Sequence, residues 1–425
     1  MDILKRYIDQ QNSCYSRCLD QQLKRSSIFV VIPCYNEPDI LTSLNSLAAC
    51  QPPEAGVTVL VVVNDSEDSP TEVIAQNTST LDCIGQWQLN HPYLFFDVQR
   101  ICARSLPRKW AGVGWARKIG MDEVIRQISS NHETDGIIVS FDADSTVSPN
   151  YLQVIESSFV NRPDCNFFTV HFEHPYNNAE LSASIREGIV RYELHMRYFR
   201  NAMQFCGYPH AIHTVGSSFA LKASAYVKQG GMNRRKAGED FYFLHKLVLL
   251  GRYGNISSTT VIPASRQSDR VPFGTGAAIK KWTEGNIELK TTYALQAFYS
   301  LRPLFANPSQ FWQMEPHEIA EYFNHLHPAL QTFCKHSQTV DELFELKNNC
   351  SNPTVFEKRF FHLLNAFWIL KYLNFAHESS FNRSDLQTET VMLLQDIGIQ
   401  TDSNILLENL LDIFRDLDRK IENSN

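Results

Sequence analysis

Two aspartates separated by one residue, Asp142 and Asp144, follow the apolar run Gly136-Ile137-Ile138-Val139-Ser140-Phe141. A strand of that composition is buried on both faces, so both carboxylates would emerge at its end into one cleft. Keeping both ionised there is unfavourable unless a cation lies between them. Hard oxygen ligands suit Mg2+ or Mn2+, which would in turn bind a diphosphate. The plainer alternative is a solvated turn with two surface aspartates, and the preceding apolar run counts against it. A second acidic pair, Glu239-Asp240, follows Gly238 and stands before the helix-like stretch from Phe241 to Leu250. A carboxylate at a helix start is either a cap favoured by the dipole or a general base for a reacting hydroxyl.

Two glycine-rich segments add polar chemistry. Gly112-Val113-Gly114-Trp115-Ala116-Arg117 has the outline of a dinucleotide fingerprint, but Arg117 stands where the third glycine belongs. Pro107-Arg108-Lys109 also interrupts the approach, so NAD binding is discounted. Glycines at a helix start still admit a ligand closely, and Arg117 would contact a base or phosphate. Arg266-Gln267-Ser268-Asp269-Arg270 precedes Pro272-Phe273-Gly274-Thr275-Gly276. Arg266, Arg270, Gly274 and Thr275 are candidates to cradle a departing diphosphate, with a basic surface loop as the alternative. His171 and His174 are read as structural, because their spacing in a strand turns them to opposite faces. His245, five residues after Asp240, is a secondary candidate ligand. Phe360, Phe361, Phe367 and Trp368 read as core.

The elements that must hold these residues are legible as apolar runs. Ile28 to Ile32 ends at Pro33, Val57 to Val63 ends at Asn64-Asp65, and the third run ends at Asp142. Continuous apolar strands imply a mostly parallel sheet covered by helices, and ligands bind beyond the carboxyl ends of such strands. Ser69-Pro70-Thr71-Glu72 predicts a capped helix start, and Ser148-Pro149 repeats it. After about residue 277 the strand-like runs give way to helical patterns, as in Glu318 to His325, Phe356 to Leu373 and Ile405 to Ile421. The expected organisation is an N-terminal helical segment over 1–26, an α/β domain over 27–276 and a helical region over 277–425.

A chain of 425 residues suggests two units, and 43% hydrophobic with 20% charged residues is an ordinary globular balance. The formal net charge of -7 argues against a nucleic-acid partner. Met1 to Ser27 is polar, and the richest apolar stretch, Phe360 to Phe375, is broken by His362, Asn365 and Lys371. The ten cysteines are read as reduced thiols of a cytoplasmic protein, and Cys14 with Cys18 lacks a second ligand pair for zinc. Lys5, Arg6, Lys24 and Arg25 would allow peripheral contact with an anionic membrane, but a solvated helix is the preferred reading.

Five motifs in order resemble family 2 glycosyltransferases of the GT-A fold: Pro33-x-Tyr35-Asn36-Glu37, Asn64-Asp65-Ser66, Gly114-x-Ala116-Arg117-x-x-Gly120, Asp142-x-Asp144 and Glu239-Asp240. The stretch from Gly216 to Lys222, followed by Gly230-Gly231-Met232, is similar to the segment before the acidic pair in that family. The resemblance covers roughly residues 27 to 270. It implies a Rossmann-like, mixed but mostly parallel sheet and a nucleotide-diphosphate sugar donor, with UDP-sugars favoured. Tyr35 would stack on the base, Glu37 would reach the ribose, and Asp65 would bond the base with Arg117 near it. Asp142 would lie by the ribose, Asp144 would ligate Mn2+ or Mg2+, and Asp240, beside Glu239, would be the base of an inverting transfer. Departures are Asn64-Asp65-Ser66 in place of two acidic residues and a glycine, and Lys118 where asparagine is usual. No Gln-x-x-Arg-Trp motif of processive synthases is present, which favours single addition to an acceptor the sequence does not specify. A retaining transferase of the same fold and a catalytically idle nucleotide-sugar-binding scaffold are the competing readings.

Overall fold

The structure is a computed structural model, and it describes residues 3–11, 26–130, 135–234, 238–270, 273–402 and 404–420. Cys14, Cys18, Lys24, Arg25 and Pro272 lie outside the described residues. The chain forms two compact units, one of residues 1–189, 214–286 and 415–425, the other of 190–213 and 287–414. The sequence reading groups 190–213 with the α/β domain and 415–425 with the helical region, whereas these compact units group them the other way.

In the first unit, α1 (Ile3–Gln11) precedes β1 (Ile28–Cys34), α2 (Ile40–Ala48), β2 (Val57–Ser66), α3 (Thr71–Asn90) and β3 (Phe96–Leu106). Then come α4 (Val113–Ser130), β4 (Ile137–Ser140), β5 (Thr146–Val147), α5 (Tyr151–Asn161) and β6 (Phe167–Phe172). Helix α6 (Ala183–Phe205) passes into the second unit at Val190, and β7 (Phe219–Lys222), α7 (Ala223–Lys228), α8 (Glu239–Leu247), β8 (Tyr253–Ile262) and α9 (Thr275–Thr283) follow in the first. The sheet order is β3-β2-β1-β4-β7-β6-β8-β5. β1 pairs in parallel with both β2 and β4, whereas β7 runs antiparallel to β4 and β6, and β5 antiparallel to β8. The expected mixed, mostly parallel sheet is therefore present. Its order reverses between β1 and β4, where open α/β sheets place their ligand crevice.

The reason for the central strands is visible in their burial. Every residue of β1 is buried, and β2 is buried from Val57 through Asp65. Each fully buried Val or Ile contributes about 1.5–3 kcal/mol, and β-branched chains suit the pleat. Helix α4 lies tight on these strands because Gly120 has no side chain. A Cβ there would stand 2.5 Å from Val31 Cγ1 and 2.9 Å from Val62 Cγ2.

Both expected helix caps shift. Helix α3 begins at Thr71 after Pro70, and Ser69 Oγ instead accepts the Ser66 N–H at 2.9 Å. Helix α5 begins at Tyr151, with no side-chain cap from Asn150. In the second unit, the predicted helix from Phe356 to Leu373 is two helices, Pro353–Leu363 and Ala366–Ser379. Asn365 separates them because its side chain accepts from the N–H groups of Phe367 and Trp368, the geometry of an N-cap. That unit also holds one short antiparallel pair, Thr291–Thr292 with Ser384–Asp385. Among the described residues no helix is long and apolar enough to cross a membrane.

Candidate active site

One edge of the sheet collects the singled-out residues, because the carboxyl ends of β1, β2, β4, β6 and β8 and the start of antiparallel β7 all face it. At its centre is Arg117, 3% exposed, on the first turns of α4. Its Nη2 donates to Asp142 Oδ1 at 2.5 Å and its Nε to Glu239 Oε1 at 2.9 Å. Its Nη1 donates to Ser140 Oγ at 2.7 Å and to the Gly216 carbonyl at 3.0 Å. Ser140 Oγ donates to that same carbonyl at 2.7 Å. Three sequence-distant segments, 140–142, Gly216 and Glu239, thus converge on one guanidinium. Burial disfavours its charge, but Asp142, Glu239 and Asp240 together hold its pKa above the ordinary arginine value. Gly216 is required by crowding: a Cβ there would lie 2.5 Å from Arg117 Nη2 and 3.1 Å from Asp240 Oδ2.

Asp240 is half-buried at the start of α8, where its Oδ1 accepts its neighbour Phe241 N–H at 2.8 Å. Burial first, then the Glu239 carboxylate, push its pKa up to about 7, against the opposing pull of Arg117 and that N–H. Glu239, 2% exposed, is turned inward to Arg117.

A second cluster holds Asp144. Its Oδ2 accepts from Arg270 Nη2 at 2.6 Å and from Arg266 Nη2 at 3.2 Å, and both arginines also pair with Glu37 Oε2. Glu37 is fully buried just beyond β1, and its Oε1 accepts the Asp39 N–H at 3.0 Å. The arginine-rich segment closes on itself through Ser268 N–H to the Gly276 carbonyl at 3.1 Å. It therefore brings Arg266 and Arg270 to the acidic triplet. Gly274 lies at the N-cap of α9, and Thr275 Oγ1 lies 3.1 Å from His174 Nε2. His171 is likewise buried, with Nε2 2.8 Å from Glu173 Oε1. His245 packs edge-on to Phe241 with ring centroids 4.5 Å apart.

The expected neighbour of Asp65 changes. Asp65 is 1% exposed and pairs with Arg104, accepts the Ser105 N–H at 2.6 Å and accepts Asn77 Nδ2 at 3.1 Å. Its cation is Arg104 rather than Arg117, because β3 runs beside β2 while Arg117 turns toward β4. Pro33 lies inside β1, and Tyr35 stands half-buried after it.

Three contributors were missed by sequence reasoning. Asn77 donates to the Asn64 carbonyl at 3.1 Å and accepts the Asn36 N–H at 2.9 Å, tying the ends of β1 and β2 together. Its signal was a polar residue on the apolar stripe Val73, Asn77, Thr80, Ile84, Trp87 of α3. Ser140 announced itself as the hydroxyl inside an apolar run, and Arg104 as a cation in a strand beside an acidic strand end.

The charges also speak to a metal. Five carboxylates (Glu37, Asp142, Asp144, Glu239, Asp240) face three guanidiniums (Arg117, Arg266, Arg270). Asp142 and Asp144 each spend only one oxygen on these arginines. Among the described residues no group of three or more His, Cys, Asp or Glu forms a metal site alone. This donor set fits a cation of the Mg2+ type, which takes one or two carboxylates and completes its shell with phosphate oxygens and water.

The acidic groups thus stand at the sheet's reversal point, where an open α/β sheet takes its ligand. Residues 29–228 match the model of the family described as Glycosyl transferase family 2. This segment is a family 2 glycosyltransferase domain, and the protein is a glycosyltransferase. Among solved structures, the chain is similar to residues 1–349 of S. aureus TarS in complex with UDP-GlcNAc, at 13% identity and a TM-score of 0.41, covering 78% of this chain and 91% of that one. It is also similar to the mannosyltransferase PcManGT from Pyrobaculum calidifontis in complex with GDP-Man and Mn2+, at 14% identity and a TM-score of 0.35, covering 98% and 92%. No curated protein matches the chain.

Proposed function

We propose that the cleft binds a nucleotide-diphosphate sugar, with UDP-sugars favoured, and transfers the sugar with inversion to an acceptor hydroxyl. The observation that supports this most directly is Arg117 bridging Asp142 to Glu239-Asp240, which joins the expected donor and base motifs in one network. Asp240 takes the acceptor proton as the hydroxyl oxygen attacks the anomeric carbon, and the bond to the diphosphate oxygen breaks. Its pKa near neutrality suits that task. Glu239, locked to Arg117, holds the start of α8 in place. Arg266 and Arg270, which pair with Asp144, meet the departing diphosphate together with Gly274 and Thr275 at the start of α9. Pro33, Tyr35, Glu37 and Asp65 bound the nucleoside end of the crevice. Asp144, with Asp142, would hold Mn2+ or Mg2+, which supplies charge neutralisation of the leaving group.

The test is Asp240→Asn. Transfer should fall by about 10²–10⁴-fold while the variant stays folded. Wild-type turnover in this variant would remove Asp240 from the mechanism.

A further inference from the structure

Helix α4 carries, beside its Arg117, a buried polar network that the proposed chemistry does not use. Lys118 is 1% exposed and donates to Asp122 Oδ2 at 2.8 Å and to Tyr7 Oη at 2.9 Å. Tyr7 Oη and Tyr226 Oη each donate to Asp122 Oδ1 at 2.7 Å. The two phenol rings meet edge to face with centroids 5.8 Å apart, and all four side chains are buried. One ion pair and two phenols therefore join α1, α4 and α7.

Such a buried pair is a weak source of net stability, but misplacing either partner strands a charge, so it fixes register. Neighbouring residues on a helix project about 100° apart, so Lys118 and Arg117 anchor different sides of one cylinder. A rotation of about 10° moves a group roughly 6 Å from the axis by about 1 Å. A shift of that size would break the 2.5 Å contact to Asp142 and the 2.9 Å contact to Glu239.

We infer that Tyr7 and Lys118 are positioning residues for Arg117: the N-terminal helix α1 sets the rotation of α4 and, through it, the alignment of Asp142 and Glu239-Asp240. The inference rests on the reading of that cluster as the reacting site.

The test uses full-length Tyr7→Phe, Arg117→Lys and the double variant, assayed by nucleotide release from UDP-GlcNAc and GDP-mannose with Mn2+. Tyr7→Phe should lower kcat about tenfold with donor KM nearly unchanged, and Arg117→Lys about a hundredfold. The double variant should stay within about twofold of Arg117→Lys, because the tyrosine acts only through the arginine. A Tyr7→Phe enzyme that melts lower but keeps wild-type kcat overturns the inference, as does a multiplicative loss in the double variant. If Tyr7→Phe fails to fold, Tyr226→Phe removes the other phenol from the same oxygen and must show the same coupling. Wild-type kcat in Arg117→Lys, or a wild-type enzyme inert toward both donors, sinks the site reading itself.

Discussion

At the scale of single residues, the environment of Asp240 ties rate to stability. A carboxyl raised to about 7 ionises only as pH passes neutrality, so kcat should climb through pH 7 and level off above it. The stability consequence has the opposite sign. The folded state binds this proton more tightly than the unfolded chain does, so stability is greatest below the unfolded value near 3.8 and falls as pH rises toward 7. Asp240→Asn should therefore melt higher than the wild type at pH 8 while losing transfer. A variant that melts lower at pH 8 would contradict the burial argument. Arg117, Asp142 and Glu239 could be named from type and spacing, but the choice of Arg104 over Arg117 beside Asp65 could not. That choice is a matter of which strand lies next to β2, and no local spacing encodes it.

At the scale of elements, two contacts set where site-bearing segments lie. Gly120→Ala would press a methyl into Val31 and Val62 and lift α4 from β1 and β2. Overpacking of this kind costs about 1–3 kcal/mol, measurable as a lower thermal midpoint, and it should reduce transfer as Arg117 moves with the helix. Wild-type stability in this variant would mean that the helix has room to spare. The helix Leu407–Lys420 makes the other contact. Its Arg419 donates to Glu173 Oε1 at 2.6 Å, and its Arg415 donates to the His174 carbonyl at 2.9 Å. Burial raises the Glu173 pKa, but hydrogen bonds from His171 and Arg419 and the charge of Arg415 outweigh it and hold the carboxyl down to about 2. The stabilisation is full above the unfolded value near 4.5 and is lost as pH falls toward 2. Glu173→Gln should cost roughly 1–2 kcal/mol at pH 7 after allowance for solvent screening, and the deficit should shrink below pH 4.5. A deficit independent of pH would show that shape rather than charge holds this helix.

At the scale of the whole molecule, a chain of net charge -7 concentrates five carboxylates against three arginines in its cleft. On the proposed reading, a divalent cation held by Asp142 and Asp144 would need the donor's phosphate oxygens to complete its shell. Mn2+ alone should leave the thermal midpoint unchanged, whereas UDP with Mn2+ should raise it by an amount equivalent to about 2.7 kcal/mol at a hundredfold excess over Kd. An equal shift with Mn2+ alone would place a complete metal site in the protein. The eight described cysteines are free thiols. Helix α1 buries Leu4 and Tyr7 and leaves Lys5 and Arg6 exposed.

The sequence by itself determined what repeats along the chain. Apolar runs fixed β1, β2 and β4, since burial on both faces leaves no polar position to disguise them. The acidic motifs at their ends followed, because an open sheet offers ligands one edge. Only the tertiary structure decided which charges meet. Arg266 and Arg270 reach Asp144 across more than a hundred residues, Lys118 seats the N-terminal helix, and residues 415–425 rejoin the first unit. Such pairings depend on strand order and helix rotation, which follow from packing the whole core at once, whereas periodicity reports only the face each element buries.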